Sequence, residues 1–320
     1  MAADTGTGKY EQLLARCAKL APVVTAVVHP CEHSALAGPV EAAALGLITP
    51  IFVGPAARIT EIARKGGIDL GSAEIIDVPH SHAAASRSVA LVREGKAELL
   101  MKGSLHTDEL LGAVVARESG LRTGRRISHA FLMDVPTYHK VLMVTDAAIS
   151  IAPSLEDKVD ISQNAIDLAN ALGLERPKVA ILAAVETVTS KMPATIDAAA
   201  LCKMAARGQI RGGLLEGPLA FDNAISKEAA LTKGIDSEVA GDADILLAPD
   251  LEAGNILAKI LTFLARADSA GLVLGARVPI ILTSRADSVR ARIASCAVAV
   301  QAAHWRRKSD ALGPKAQTRG

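Results

Sequence analysis

Val23-Val-Thr-Ala-Val-Val-His-Pro-Cys-Glu-His33 opens the part of the chain whose reading decides the fold. Its first six residues are mostly β-branched and read as a strand over 23–28. His29-Pro30 stops that strand, and an Ala-rich helical stretch follows over 34–45. The same unit then repeats. Residues 50–53 form a strand closed by Gly54-Pro55, with a helix to 64. Residues 74–78 and 98–101 are strands, each followed by a helix, over 83–94 and 106–118. Beyond these, 127–133 and 140–144 read as adjacent strands, and 178–183, 213–215, 245–247, 272–274 and 280–282 as further strands. Helices are expected over 155–172, 193–207, 223–231, 252–266 and 286–303. Pro193 stands where proline is tolerated, in the first helical turn.

Strand–helix alternation of this kind predicts an α/β protein with parallel sheets covered by helices on both faces. The strands number about a dozen, more than the ~4–6 of an ordinary sheet, so two α/β/α domains with mainly parallel sheets are expected. The boundary falls near 136–141. The last helix returns to the first domain, which makes residues 1–138 plus 286–320 one discontinuous domain and 139–285 the second. The tail from 306 to 320 is polar and reads as frayed.

Composition narrows the function. Half of the 320 residues are hydrophobic but only 2% are aromatic, which suits close packing of small and β-branched side chains between layers. A formal net charge of +1 gives no basic face for nucleic acid. No apolar run is long enough to span a bilayer, and Met1 to Tyr10 lacks an apolar signal core. Cys17, Cys31, Cys202 and Cys296 are irregularly spaced and read as free thiols in a reducing, cytoplasmic compartment.

Ligands of open parallel sheets bind beyond the carboxyl ends of the strands. Polar residues and glycines crowd those ends here: His29, Cys31 and His33; Lys102, Gly103, Ser104 and Thr107; Asp146; Glu186; Asp222; Asp250, Gly254 and Asn255; and Thr283 to Ser288. The richest is Thr283-Ser-Arg-Ala-Asp-Ser288, between an apolar strand and a helix start. A helix N-terminus favours anions, and Arg285 adds a planar fork suited to phosphate oxygens. A plain capping box, with Ser284 as N-cap and Asp287 three residues on, fits the same residues. Lys102-Gly103-Ser104 reads equally as an ordinary turn or as a ligand-lining loop. His29, Cys31 and His33 lack a second cluster to complete a tetrahedral metal set, so no metal is expected. Arg122, Arg125 and Arg126 form a basic cluster able to meet a nucleotide phosphate, though a solvated turn is the stronger reading. Gly6-Thr-Gly8-Lys9 lacks the preceding strand of a phosphate loop. Neither G-x-G-x-x-G after a strand nor G-x-S-x-G occurs.

Longer blocks carry a family resemblance. Asp146-Ala-Ala, the run from Val179 to Thr187, Lys191 to Thr195, Arg207 to Ile210, Gly217-Pro-Leu-Ala, Asp222 to Ala229, Ala240 to Leu246, Glu252-Ala-Gly-Asn255 and Leu282 to Ser288 follow one another in order. Together they resemble the phosphate acetyl/butyryltransferase family, on its phosphate butyryltransferase-like branch, from about Glu98 to Ala299; the first hundred residues fit loosely. The resemblance implies two α/β/α domains of isocitrate/isopropylmalate dehydrogenase-like architecture with a cleft between them. It implies a homodimer through the second domain, acyl-CoA and phosphate as partners, and no cofactor beyond coenzyme A as substrate. The implied reaction moves an acetyl, propionyl or butyryl group between coenzyme A and phosphate. Ser284 and Arg285 match the family's catalytic pair. Where its acetyltransferase branch carries two further arginines and an aspartate base, this chain has Gly112, Phe263 and Ala291. Asp287 is the nearest substitute base, although a helix N-terminus favours the ionised carboxylate and weakens it for that task. Lys102, Gly103, Ser104, Thr107, Asp146, Glu186, Asp222, Gly254, Asn255, Thr283 and Ser288 are the candidates for lining coenzyme A and phosphate. Two other readings stay open. The missing arginines suit a non-catalytic acyl-CoA-sensing module. A metal-dependent dehydrogenase of similar architecture would need a carboxylate or histidine cluster that the sequence does not offer.

Overall fold

β1 (Val23–Val28) forms the middle of a parallel array because its Val/Thr/Ala run can be buried on both faces. The computed structural model describes residues 8–283 and 287–312. In chain order, α1 (Lys9–Cys17), β1, α2 (His33–Ala44), β2 (Ile48–Gly54), α3 (Ala56–Gly66), β3 (Glu74–Asp77), α4 (Ser81–Arg93), β4 (Leu99–Lys102) and α5 (Thr107–Val115) come first. The middle of the chain gives β5 (Ser128–Asp134), β6 (Leu142–Thr145), α6 (Leu155–Ala171), β7 (Lys178–Leu182), α7 (Pro193–Ala206) and β8 (Leu214–Leu219). It continues with α8 (Phe221–Ile225), α9 (Lys227–Thr232), β9 (Ile245–Leu247) and α10 (Leu251–Phe263). β10 (Asp268–Leu274), β11 (Ile280–Ile281) and α11 (Val289–Leu312) complete it.

The chain divides into two compact units. One holds Gly8–Arg125 and the segment from Ala270 onward; the other holds Arg126–Ser269. In the first unit the strand order is β3-β2-β1-β4-β11-β10, parallel except for β10 against β11. The register pairs Val28 with Lys102 and Met101 with Ile281, so the carboxyl ends of β1, β4 and β11 are neighbours. Leu36, Phe52, Ile59, Leu99, Leu100, Met101 and Leu110 are fully buried around this sheet. Each such side chain contributes about 1.5–3 kcal/mol of hydrophobic stabilisation.

The second unit has the order β5-β6-β9-β7-β8. β5 runs antiparallel to β6, pairing Ala130 with Thr145, which ties residues 128–134 to the segment that follows them. The unit therefore begins at Arg126, ahead of the 136–141 boundary expected from sequence. The remaining pairs are parallel, and Met133, Leu142, Val144, Leu182, Leu219, Leu246 and Leu261 form its core.

Several elements differ from the sequence reading: β8 runs on to Leu219, four residues past its expected end. α1 has an amphipathic pattern within a polar stretch; it buries Cys17, whose Sγ donates to the Ala297 carbonyl of α11 at 3.3 Å. The helix expected over 223–231 is two helices, broken at Ser226, whose side chain caps α9 by accepting from the Ala229 N–H. β10 begins at Asp268, four residues earlier than expected. α11 continues to Leu312 instead of fraying at 306, because Arg307 makes a two-pronged ion pair with Glu98 and Arg306 donates to the Ala276 carbonyl.

Candidate active site

In the first unit, three loops leave adjacent strand ends. The chain turns sharply after β1 at His29, with φ of 53°, and the His29 N–H donates to the Val53 carbonyl. The 103–104 turn is pinned against it: the Gly103 N–H donates to the Val28 carbonyl and the Ser104 N–H to the His29 carbonyl, both at 2.9 Å. A Cβ at Gly103 would lie 2.3 Å from the Val28 oxygen, so this approach requires glycine. Lys102 is buried and directs Nζ toward the Gly103 carbonyl at 3.4 Å. Ser104 Oγ and His29 Nδ1 are both buried with no hydrogen-bond partner among the described residues. Burial, reinforced by Arg58, lowers the pKa of His29, favouring the neutral ring. Thr107 opens α5.

The third loop follows β11. Thr283 is buried, and its Oγ1 accepts from Arg292 Nη1 at 2.7 Å. α11 starts at Val289, and its cap is Ser288, whose Oγ accepts from the Ala291 N–H. The cap expected at Ser284 is thus displaced four residues, and the segment between strand and helix is correspondingly longer. Ser284, Arg285 and Ala286 lie outside the described residues, so the catalytic pair named by the resemblance is fixed only by its flanks. Asp287 is half-buried at the loop's far end.

In the second unit the candidates also sit at carboxyl strand ends, but they are engaged with each other. Asp146 follows β6, and its carboxylate accepts from the N–H groups of Ala148, Ile149 and Ser150 at 2.9–3.1 Å. The acid shapes its own loop. Gly254 of α10 lies against it, where a Cβ would be 2.4 Å from the Asp146 carbonyl oxygen. Asn255 Nδ2 donates to the Ala147 carbonyl at 2.9 Å. Glu186 and Asp222 converge on Lys233, at 3.2 and 3.6 Å. The backbone N–H of Glu186 and then Lys233 hold the Glu186 carboxyl below its ordinary range.

The remaining polar clusters have structural partners. His80 caps α4, His82 pairs with Glu109 at 3.2 Å, and Arg126 pairs with Asp157. Among the described residues no three histidine, cysteine or acidic side chains converge on a metal position. Burial raises all four thiol pKa values, those of Cys202 and Cys296 to about 12, so none is poised as a thiolate nucleophile. Sequence reasoning passed over Arg292, a buried cation in the first turn of α11. Its local signal is faint, because Arg290 two residues earlier is an equally good candidate by pattern and is exposed.

Comparison with known proteins gives the family of the chain. The Phosphate acetyl/butaryl transferase family profile matches residues 80–300. A phosphate acetyltransferase of Rhizobium meliloti is 66% identical over 299 residues, 93% of this chain and 95% of the relative. A phosphate butyryltransferase of Clostridium acetobutylicum is 44% identical over 254 residues, 79% of this chain and 84% of the relative. The crystal structure of a branched-chain phosphotransacylase from Enterococcus faecalis V583 superposes with a TM-score of 0.76 at 29% identity, covering 88% of this chain and 99% of that one. The chain belongs to the phosphate acetyl/butyryltransferase family. It is an acyltransferase, and the reaction it carries is acyl transfer between coenzyme A and phosphate. The relatives bear catalytic names, and none of these three favours the acyl-CoA-sensing reading.

Proposed function

We propose that the preferred acyl group is acetyl and that the 283–288 loop, with the turns at His29 and Lys102–Ser104, holds the phosphate end of the reaction. The acyl preference rests on the greater similarity to a phosphate acetyltransferase than to a phosphate butyryltransferase, 66% against 44% identity. The site assignment is carried by the buried, partnerless Ser104 Oγ and His29 Nδ1 at strand ends beside that of β11. Orphaned polar atoms of this kind demand a reason, and a multiply charged ligand supplies one.

In the forward direction a phosphate oxygen attacks the thioester carbonyl carbon. The tetrahedral oxyanion collapses, the C–S bond breaks, and the proton lost by phosphate is taken up by the departing thiolate to give acyl phosphate and free coenzyme A. Arg285 binds the phosphate oxygens, Ser284 donates to the oxyanion, and Asp287 relays the proton. Direct attack without an acyl-enzyme fits the raised pKa of every cysteine thiol. Lys102, Gly103, Ser104, Thr107, Thr283 and Ser288 line the phosphate and coenzyme A side. Asp146, Glu186, Asp222, Gly254 and Asn255 are the second unit's candidates for binding coenzyme A. No cofactor or metal is required by this scheme. The protein works in the cytoplasm, a placement supported by four free thiols.

It also works as a homodimer through the second unit. α10 exposes Ile256, Ile260 and Phe263 along one helical face, with Leu264 just past its end, and Phe263 and Leu264 are more than 70% exposed. The test of the activity is release of free thiol from acetyl-, propionyl- and butyryl-CoA, with and without phosphate. Phosphate-dependent release, fastest with acetyl-CoA, is expected. Binding of acyl-CoA without phosphate-dependent release from any of the three would overturn the catalytic reading, and a faster butyryl reaction would overturn the acyl preference.

A further inference from the structure

We infer that the first unit carries a second anion site on the edge of its sheet remote from the strand carboxyl ends: Arg122 and Arg277, with Arg306 beside them, take a short polyphosphate chain. Three segments far apart in sequence build it, and all belong to this unit. The Arg277 N–H donates to the Leu121 carbonyl at 2.9 Å, and Thr123 Oγ1 donates to the Gly275 carbonyl at 2.6 Å. These bonds lay the 121–123 turn against the 275–277 turn, so Arg122 and Arg277 leave neighbouring points of backbone. Arg306 of α11 donates from Nη1 to the Ala276 carbonyl at 3.0 Å, which brings a third guanidinium to the same turn. The 275–279 segment joins β10 to β11, and its Pro279 carbonyl accepts from the Leu100 N–H, so this is the amino edge of β4 and β11. Lys102, Ser104 and Thr283 follow the carboxyl ends of those strands, on the opposite edge.

The charge gathered here is not neutralised by the protein. Arg122 and Arg277 are exposed, and among the described residues neither makes an ion pair with a carboxylate. Glu98, the acid that precedes β4 on this edge, is taken by both prongs of Arg307. Arg126 gives the contrast: it pairs with Asp157, and its N–H donates to Asp160. Exposed arginines are commonly no more than solvated surface. A solvated turn, however, has no need to draw like charges from separate segments onto one patch, where they repel. An anion bridging them reverses the sign of that interaction. Guanidinium forks match phosphate oxygens two at a time, and several forks side by side match a chain of phosphates better than one phosphate. With 2% aromatic residues and a net charge of +1, the chain offers nucleic acid neither a stacking platform nor a long basic face. The ligand is therefore a short polyphosphate, free or carried by a nucleotide.

The test is calorimetric titration of the whole protein with tripolyphosphate, ATP and citrate, with coenzyme A held in excess so that the carboxyl-edge site is filled. Tripolyphosphate should bind with one site per chain. Arg122→Gln and Arg277→Gln should each weaken it about three- to tenfold, and the double variant more than either. Thr123→Val, which removes the bond to Gly275 without touching a charge, should weaken it by a smaller factor. Raising the salt from about 0.05 to about 0.5 M should weaken it as well. Thiol release from acetyl-CoA should keep kcat/KM within about twofold in the Arg122 and Arg277 variants, because the site lies away from the reacting groups. ATP binding as tightly as tripolyphosphate would show that the chain of phosphates is read alone, and tighter ATP binding that the nucleotide is the carrier. Citrate binding as tightly as tripolyphosphate would overturn the polyphosphate class. No binding in the presence of coenzyme A, or unchanged affinity in the double variant, would overturn the site. If the double variant melts early, the single variants decide, and unchanged affinity in both overturns it.

Discussion

Replacing Gly103 by alanine tests how the first unit's loops are held. The added Cβ would lie 2.3 Å from the Val28 oxygen and 2.7 Å from the His29 oxygen, where ordinary contact needs more than 3 Å. Both obstacles are backbone, so neither can rotate away. The turn has to retreat by about an ångström, which lengthens the Gly103–Val28 and Ser104–His29 hydrogen bonds, now 2.9 Å each. Two such bonds contribute about 1–3 kcal/mol together. Displacement on this scale also misplaces Lys102 and Ser104, and near a reacting centre that costs about a hundredfold in rate. We expect Gly103→Ala to lower the unfolding free energy by about 1–3 kcal/mol and kcat/KM by about a hundredfold. Gly112→Ala is the stability control, since a Cβ there meets nothing within 4 Å and position 112 lies inside α5. It should stabilise by about 0.5–1 kcal/mol. Urea melts and steady-state thiol release measure both quantities. If Gly103→Ala melts and turns over like the parent protein, the pinned turn is not what positions this loop.

Three further outcomes are expected. Arg285→Ala should lose about ten- to a hundredfold in kcat/KM with an unchanged melting temperature, and Arg285→Lys should recover only part; equal activity of all three proteins would show that no planar fork is needed. Phe263→Glu should convert a dimer to a monomer in sedimentation, and an undisturbed dimer would move the interface away from α10. At the amino end of β7, burial pushes the Asp242 carboxyl up, but bonds from Lys178, Lys140 and His139 outweigh this and hold it well below the carboxylate range. The folded state therefore binds fewer protons than the unfolded state as pH falls below about 4. The stabilisation is complete above that pH and is lost on acidification toward the lower folded value. Asp242→Asn should flatten the acid limb of a stability–pH curve measured by urea melts, and an unaltered limb would mean the cluster contributes nothing to acid sensitivity.

The alternation of strands and helices was legible because each β-branched run here is bounded by its own turn signal, as at Gly54-Pro55. β9 matches its expected residues, 245–247. What pattern alone could not supply was the set of long-range partners. α1 packs against a helix almost three hundred residues away, and α11 extends to Leu312 on the strength of an ion pair with Glu98. Asp146 and Ser288 were visible as polar residues at strand ends, yet only the folded geometry reveals that one carboxylate braces its own loop and the other's hydroxyl caps a helix. Arg292 was hidden for the opposite reason, since burial of a charge follows from packing against Gly38 and leaves no periodic trace.

The state of the cysteines bears on how this protein lives with its own product. Every turnover toward acyl phosphate liberates a thiol, and the disulfide that thiol forms once oxidised is open to attack by any accessible protein thiolate. Cys17, Cys31 and Cys296 are buried, and the thiol pKa values of Cys202 and Cys296 are raised to about 12. At pH 8 a thiol with that pKa is ionised to only about one part in ten thousand. Mixed disulfides with coenzyme A therefore have little to form on, and the protein should tolerate an oxidised coenzyme A pool that would poison an enzyme with an open thiolate. The same reticence suits a continuous assay with a disulfide chromophore, in which the colour reports released coenzyme A instead of the enzyme's own cysteines.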